Sequence, residues 1–125
     1  MYHGGFSGVL KNALDFMGFE QFEGRVVGLV GVAGGRAGAI SALSGLRNIG
    51  RGLHAWVVPE EVSISSSYEV FDHSGNAKSR EIEERLLDLG RQVARFAYLH
   101  TSRQAQEFLK LWEIAVQNPG GGSSQ

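Results

Sequence analysis

There is no cysteine in this chain of 125 residues, which removes disulfides, thiolate nucleophiles and cysteine-based zinc or iron–sulfur sites in one step. Charge of one sign is also lacking. Lys and Arg number 12 against 13 Asp and Glu, a formal net charge of -1, so no global field draws the chain to nucleic acid or to an anionic membrane. No apolar run approaches the ~20 residues of a membrane-spanning helix. The N-terminus lacks the basic start and apolar stretch of a secretory leader. The expectation is a cytoplasmic, soluble chain with one hydrophobic core, since this length suits a single domain.

Glycine is what the sequence has in plenty, 18 in all, and it is clustered. Gly4, Gly5 and Gly8 open the chain, while Gly24, Gly28, Gly31, Gly34, Gly35 and Gly38 surround the first apolar run. That run, Arg25 to Val32 (RVVGLVGV), is β-branched and nearly unbroken, as in a parallel strand covered on both faces. Ahead of it, Val9, Leu10, Ala13, Leu14, Phe16 and Met17 recur at helical spacing, with Ser7 as N-cap and Gly18 as stop. After it, a glycine-rich turn leads into a helix over Ala39 to Ile49. His54 to Val58 then forms a second strand, which Pro59 is expected to end because it has no N–H for a ladder. Strand, helix, strand is a βαβ unit, so the fold class is α/β with parallel strands flanked by helices. Glu60 to Lys78 reads as a long polar loop, Ser65 to Ser67 within it as simple loop. Ser79 caps a helix with acidic residues early and Arg91 and Arg95 late, and Gln104 to Val116 is a further amphipathic segment. Trp56 and Trp112 read as packing residues. His54, His73 and His100 share no metal-ligand spacing, and no metal is expected.

Three motifs fall in a specific order. Tyr2-His3-Gly4-Gly5-Phe6-Ser7-Gly8 runs into Val9-Leu10-Lys11-Asn12-Ala13-Leu14-Asp15. Gly31-Val32-Ala33-Gly34-Gly35-Arg36-Ala37-Gly38 follows, then Phe71-Asp72-His73-Ser74-Gly75. This series resembles the NAD(P)H-dependent FMN reductases: a Tyr-Asn loop before Leu-Lys-Asn-Ala-Ile-Asp, a fourth strand entering a Ser-Gly-Gly turn, and Phe-Asp-x-x-Gly before the last helix. His3 stands for the family's asparagine, Ser7 for a proline, Ala33 for the serine, and Met1 for a glutamate. The likeness covers about Tyr2 to Thr101. The family's opening Gly-Ser-x-Arg-x-x-Ser phosphate loop has no counterpart among these residues.

The resemblance implies a partial flavodoxin-like, three-layer fold over residues 1–101, the C-terminal part of a reductase domain. Residues 102–117 are then an additional amphipathic helix and 118–125 a flexible Gly/Ser tail. It implies FMN and NAD(P)H as cofactors and electron transfer to a flavin, quinone or similar acceptor. Tyr2, His3 and Gly4 would flank the flavin ring together with Ala33, Gly34, Gly35 and Arg36, with no catalytic side chain. A tight strand-to-helix turn alone also explains Gly34 and Gly35; the neighbouring motifs favour the ligand. Leu10, Lys11, Asn12 and Asp15 would form an oligomer interface, although Lys11 and Asp15 are also spaced to pair with each other. The alternative is a non-catalytic, truncated module that oligomerises or complements a polypeptide supplying the missing strands. In isolation, the open edge of the first strand is expected either to self-associate or to be covered by Gln104 to Val116.

Overall fold

The computed structural model describes residues 1–115. Val116 and the expected Gly/Ser tail lie outside the described residues. The elements run α1 (Gly8–Asp15), α2 (Phe19–Phe22), β1 (Val26–Val32), α3 (Ile40–Gly52), β2 (Trp56–Ile64), α4 (Ser67–Val70), α5 (Arg80–Thr101) and α6 (Arg103–Ile114). Both capping serines act as the sequence suggests: Ser7 Oγ accepts from Leu10 N at 3.1 Å and Ser79 Oγ from Ile82 N at 3.4 Å.

β1 and β2 form a parallel two-stranded sheet between two helical layers, the three-layer α/β arrangement that the resemblance implies. Leu29, Ala33, Ala39 and Leu43 make the core on the α3 side. Val58, Val62, Ile64 and Leu89 make the core on the α5 side. Two strand glycines let the helices approach. A Cβ on Gly31 would lie 2.5 Å from Ala39 Cβ, and one on Gly28 would lie 2.7 Å from Val93 Cγ2.

Pro59 does not end β2. The strand continues to Ile64 because Pro59 sits in an irregularity of the ladder: Val27 pairs with Val57, but Leu29 already pairs with Glu61. A proline at a bulge gives up no ladder hydrogen bond. The insertion is even in residues, so the alternation survives it, and Val57, Glu61 and Ser63 all face α3. Arg47 of α3 holds the bulge. It donates to Val58 O at 2.9 Å and to Pro59 O at 3.3 Å, and it pairs with Glu61 at 2.8 Å. The expected 60–78 loop is thus a strand end, the short helix α4 and a closed turn.

Two further expectations are corrected. Trp56 is not packed but 60% exposed, stacked on His100 with ring centroids 5.3 Å apart. Trp112 is 46% exposed, on a helix that packs on the end of α5. Among the described residues α6 packs on α5 rather than along the free edge of β1, and Val30 and Val32 are exposed there.

Candidate functional site

At the C-terminal end of β1 the chain turns through Ala33 to Ala39 into α3, the position at which parallel α/β sheets bind ligands. Three serines of β2 and its exit fasten this turn. Ser63 Oγ accepts from Ala39 N at 2.9 Å, supplying the cap that Ala39 lacks. Ser66 N donates to Gly35 O and Ser67 N to Ala33 O, each at 3.1 Å. Ser66 adopts φ 45° to do so. Ser66 and Ser67 take carbonyls and Ser63 the Ala39 amide; among the described residues, the N–H groups of Gly34, Gly35 and Arg36 have no protein partner. These three residues are exposed.

Gly34 and Gly35 differ from their neighbours in another way. Neither has positive φ, and a Cβ on either would meet nothing within 4 Å. Gly38, by contrast, has φ +69° and Ser63 Oγ 2.8 Å from an added Cβ. The protein itself needs glycine at 38 but makes no such demand at 34 and 35.

Tyr2 to Gly5 is a tight turn closed by Tyr2 N to Gly5 O at 3.0 Å and Gly5 N to Tyr2 O at 2.9 Å. His3 at φ 50° and Gly4 at φ 78° are its two middle residues, as a type I′ turn requires. Phe6 anchors it to α3, its ring lying where a Cβ of Gly45 would come within 2.6 Å. That contact is about 9 Å along α3 from Ala39, at a rise of about 1.5 Å per residue. The two turns are thus mounted on one helix, the glycine turn at its N-terminus and the tyrosine turn farther along its side. Tyr2, His3 and Gly4 are exposed.

On α1, Lys11 and Asp15 pair with each other at 2.6 Å on the surface. Leu10 lines a small apolar cavity of about 160 Å³ with Leu14, Phe22, Val27 and Leu46. The most exposed apolar residues of this helix and its C-cap are instead Val9 at 83% and Phe16 at 86%. With Ala13 they make one stripe at helical spacing.

The Phe71 to Ala77 segment closes on Asp72. Its Oδ1 accepts from Ser74 N and Asn76 N, both at 2.9 Å, and Phe71 and Ala77 form an antiparallel bridge. The Asn76 backbone N–H, foremost among several donors, holds the Asp72 carboxyl below the usual carboxylate range. A cavity of about 570 Å³ opens between this segment and β1, lined by Val32, Tyr68, Phe71, His73 and Lys78.

Residues 1–69 match the family model of the NADPH-dependent FMN reductases. The chain belongs to this family. The match spans the tyrosine turn, α1, β1, the glycine turn, α3 and β2, so both candidate turns lie inside it. For the NADPH-dependent FMN reductase family the cofactors are flavin and reduced nicotinamide nucleotide. The residues present fit a flavin on physical grounds: unclaimed amide donors, two glycines open to a flat ring, and the cationic Arg36 beside the N-terminus of α3.

Sequence reading reached the two turns but not the latch. Ser66 and Ser67 read from sequence as simple loop, and Ser63 as part of the same loop, because β2 is expected to stop at Pro59. The usable signal was the alternation of Val62 and Ile64 with Glu61 and Ser63 beyond the proline.

Proposed function

We propose that the chain binds FMN at the C-terminal end of β1 and acts in the cytoplasm as an NAD(P)H-dependent reductase of a flavin, quinone or similar acceptor. The observation that carries this reading is the glycine turn, fastened through the carbonyls of Ala33 and Gly35 and the amide of Ala39, while the amides of Gly34 to Arg36 have no protein partner among the described residues. The flavin supplies hydride acceptance from NAD(P)H and electron release to the acceptor. The chain's own residues position and polarise. The N–H groups of Gly34 and Gly35 would be free to donate to a bound flavin, and Ala33 ends the strand that carries their turn. Arg36 and the positive end of α3 offset negative charge on the reduced cofactor or the nucleotide phosphates. Tyr2, His3 and Gly4, in the exposed turn that Phe6 mounts on α3, would supply a second contact to the ring. Titration of FMN fluorescence on the purified chain, followed by NADPH oxidation with excess acceptor, tests it. Saturable one-to-one quenching that Gly35→Val weakens is expected; equal quenching by both chains defeats the assignment.

A second reading rests on the other edge of β1, where Val30 and Val32 are 45% exposed beside an open strand. Such an edge accepts a strand, so a polypeptide that supplies one makes this chain a complementation module. For self-contact through α1, the Val9 and Phe16 stripe supports an interface flanked by Leu10, Lys11, Asn12 and Asp15.

A further inference from the structure

The cavity of about 570 Å³ beside β1 adjoins the glycine turn but holds none of its residues. Val32, the residue before the turn, lines it on the β1 side, and Ser67, which donates to Ala33 O at 3.1 Å, ties its wall to the turn. Backbone bonds fix the rest: Phe71 N donates to Ser67 O at 3.1 Å, Lys78 N donates to Val70 O at 2.7 Å, and Phe71 bridges Ala77. The lining is of two kinds. Tyr68 and Phe71 give aromatic surface, and Tyr68 is 69% exposed. Lys78 and His73 give nitrogen donors, and among the described residues neither side chain has a hydrogen-bond or ion-pair partner. Asp72 lines the cavity too, but both of its oxygens are engaged. Oδ1 accepts from Ser74 N and Asn76 N at 2.9 Å, and Oδ2 accepts from Asn76 Nδ2 at 3.3 Å. Its charge is directed into its own turn, which leaves the Lys78 ammonium available to a ligand.

The volume is that of a small-molecule site, about 300 to 1,000 Å³. Aromatic walls with a lysine among them match a base that carries a phosphate, because bases stack on aromatic side chains and lysine meets phosphate as a point charge. NADPH, the reductant of the family, has this combination at one end, an adenine on a ribose 2′-phosphate; NADH lacks the phosphate. We propose that the cavity holds the adenosine 2′-phosphate end of NADPH, with Tyr68 stacking on the base and Lys78 and His73 receiving the phosphate, so that the chain selects NADPH over NADH. The proposal rests on the reductase reading for the choice of nucleotide, and not on where the flavin lies.

Adenosine 2′,5′-bisphosphate and adenosine 5′-monophosphate, titrated into the flavin-free full chain and followed by amide NMR shifts, give the test. The bisphosphate should bind about tenfold tighter or more, the effect of one charge-assisted hydrogen bond, with the largest shifts at Tyr68, Phe71 and Lys78. Lys78→Gln should bring the two ligands to within about twofold of each other, whereas Lys78→Arg should keep the preference because the charge remains. Tyr68→Ala should weaken both about fivefold or more by removing the stack. Tyr68 and Lys78 are exposed, so these variants leave the fold intact. Equal affinity for the two nucleotides, a preference that survives Lys78→Gln, or shifts confined to residues away from the cavity would overturn the proposal. So would inorganic phosphate that binds as tightly as the bisphosphate. A chain that takes the bisphosphate selectively but no FMN would uphold this site and count against the flavin assignment alone.

Discussion

Two pairs of glycines stand a few residues apart and do opposite things. Gly28 and Gly31 lie inside β1 and are claimed by the protein: Val93 Cγ2 and Ala39 Cβ occupy the space a side chain needs. Gly34 and Gly35 lie in the turn that follows, with ordinary φ, no neighbour within 4 Å and amides without partners. Glycine weakens a chain by its backbone freedom. Where packing returns that loss the residue is structural; Gly34 and Gly35 share their open setting with Gly52 and Gly90 inside helices, and differ from these in standing at the C-terminal end of β1. The difference separates glycines that the packing requires from glycines that it leaves open, and the second pair is the one proposed to meet the flavin.

The sharpest way to break this comparison is to add the same kind of bulk to each pair. Gly31→Ala puts a methyl 2.5 Å from Ala39 Cβ and 3.0 Å from Leu43 Cγ, and neither neighbour can move: Leu43 is fully buried and Ala39 nearly so. A loss of about 3 kcal/mol is expected, the upper end for overpacking, read from urea or thermal unfolding. Gly35→Val should change unfolding by less than about 0.5 kcal/mol, as an unencumbered surface substitution does. It should cost at least about tenfold in FMN affinity, about 1.4 kcal/mol. A Gly35→Val chain that unfolds as readily as Gly31→Ala would merge the two classes.

The same contrast extends from space to hydrogen bonds. Arg47 claims the carbonyls of Val58 and Pro59 and pairs with Glu61 across α3 and β2. Lysine carries the charge but not the planar fork that reaches two carbonyls and a carboxylate together. Arg47→Lys should therefore destabilise by about 1 to 2 kcal/mol and loosen Ser63, the serine that caps α3. Amide exchange at Ala39, faster in the variant than in the parent, checks this; unchanged exchange would detach the bulge from the turn.

What was legible beforehand follows the same division. The βαβ unit, the caps Ser7 and Ser79 and both turns were readable because local patterns encode them: apolar period, capping serine, glycine clusters in a known order. The extent of β2 was not, since a proline stops a strand unless a bulge accommodates it, and the Arg47 that holds this bulge comes from the preceding helix. The serine latch was lost with it. The position of Trp56 was equally hidden, because an aromatic residue at a strand start reads as core unless the end of α5 is known to stack a histidine there. On α1 the motif drew attention to Lys11 and Asp15, while exposure singles out Val9 and Phe16.

The smallest expected effect concerns backbone amides that are claimed, the counterpart of those in the glycine turn. Asp72 accepts from the N–H groups of Ser74 and Asn76, which favours its ionised form and lowers its carboxyl below the ordinary aspartate value of about 3.9. A group whose pKa is lower folded than unfolded stabilises the fold above its unfolded value, and that contribution disappears as pH falls through the folded value. The Phe71 to Ala77 turn should therefore stay closed at neutral pH and open only in acid, with the amide resonances of Ser74 and Asn76 titrating together below the ordinary aspartate midpoint. Asp72→Asn should abolish that titration while leaving FMN binding in place, since the carboxylate is committed to its own turn. If Ser74 and Asn76 titrate at or above the ordinary value, Asp72 does not hold them. If the Asn variant loses FMN instead, the turn belongs to the site, and the boundary drawn between claimed and unclaimed backbone lies in the wrong place.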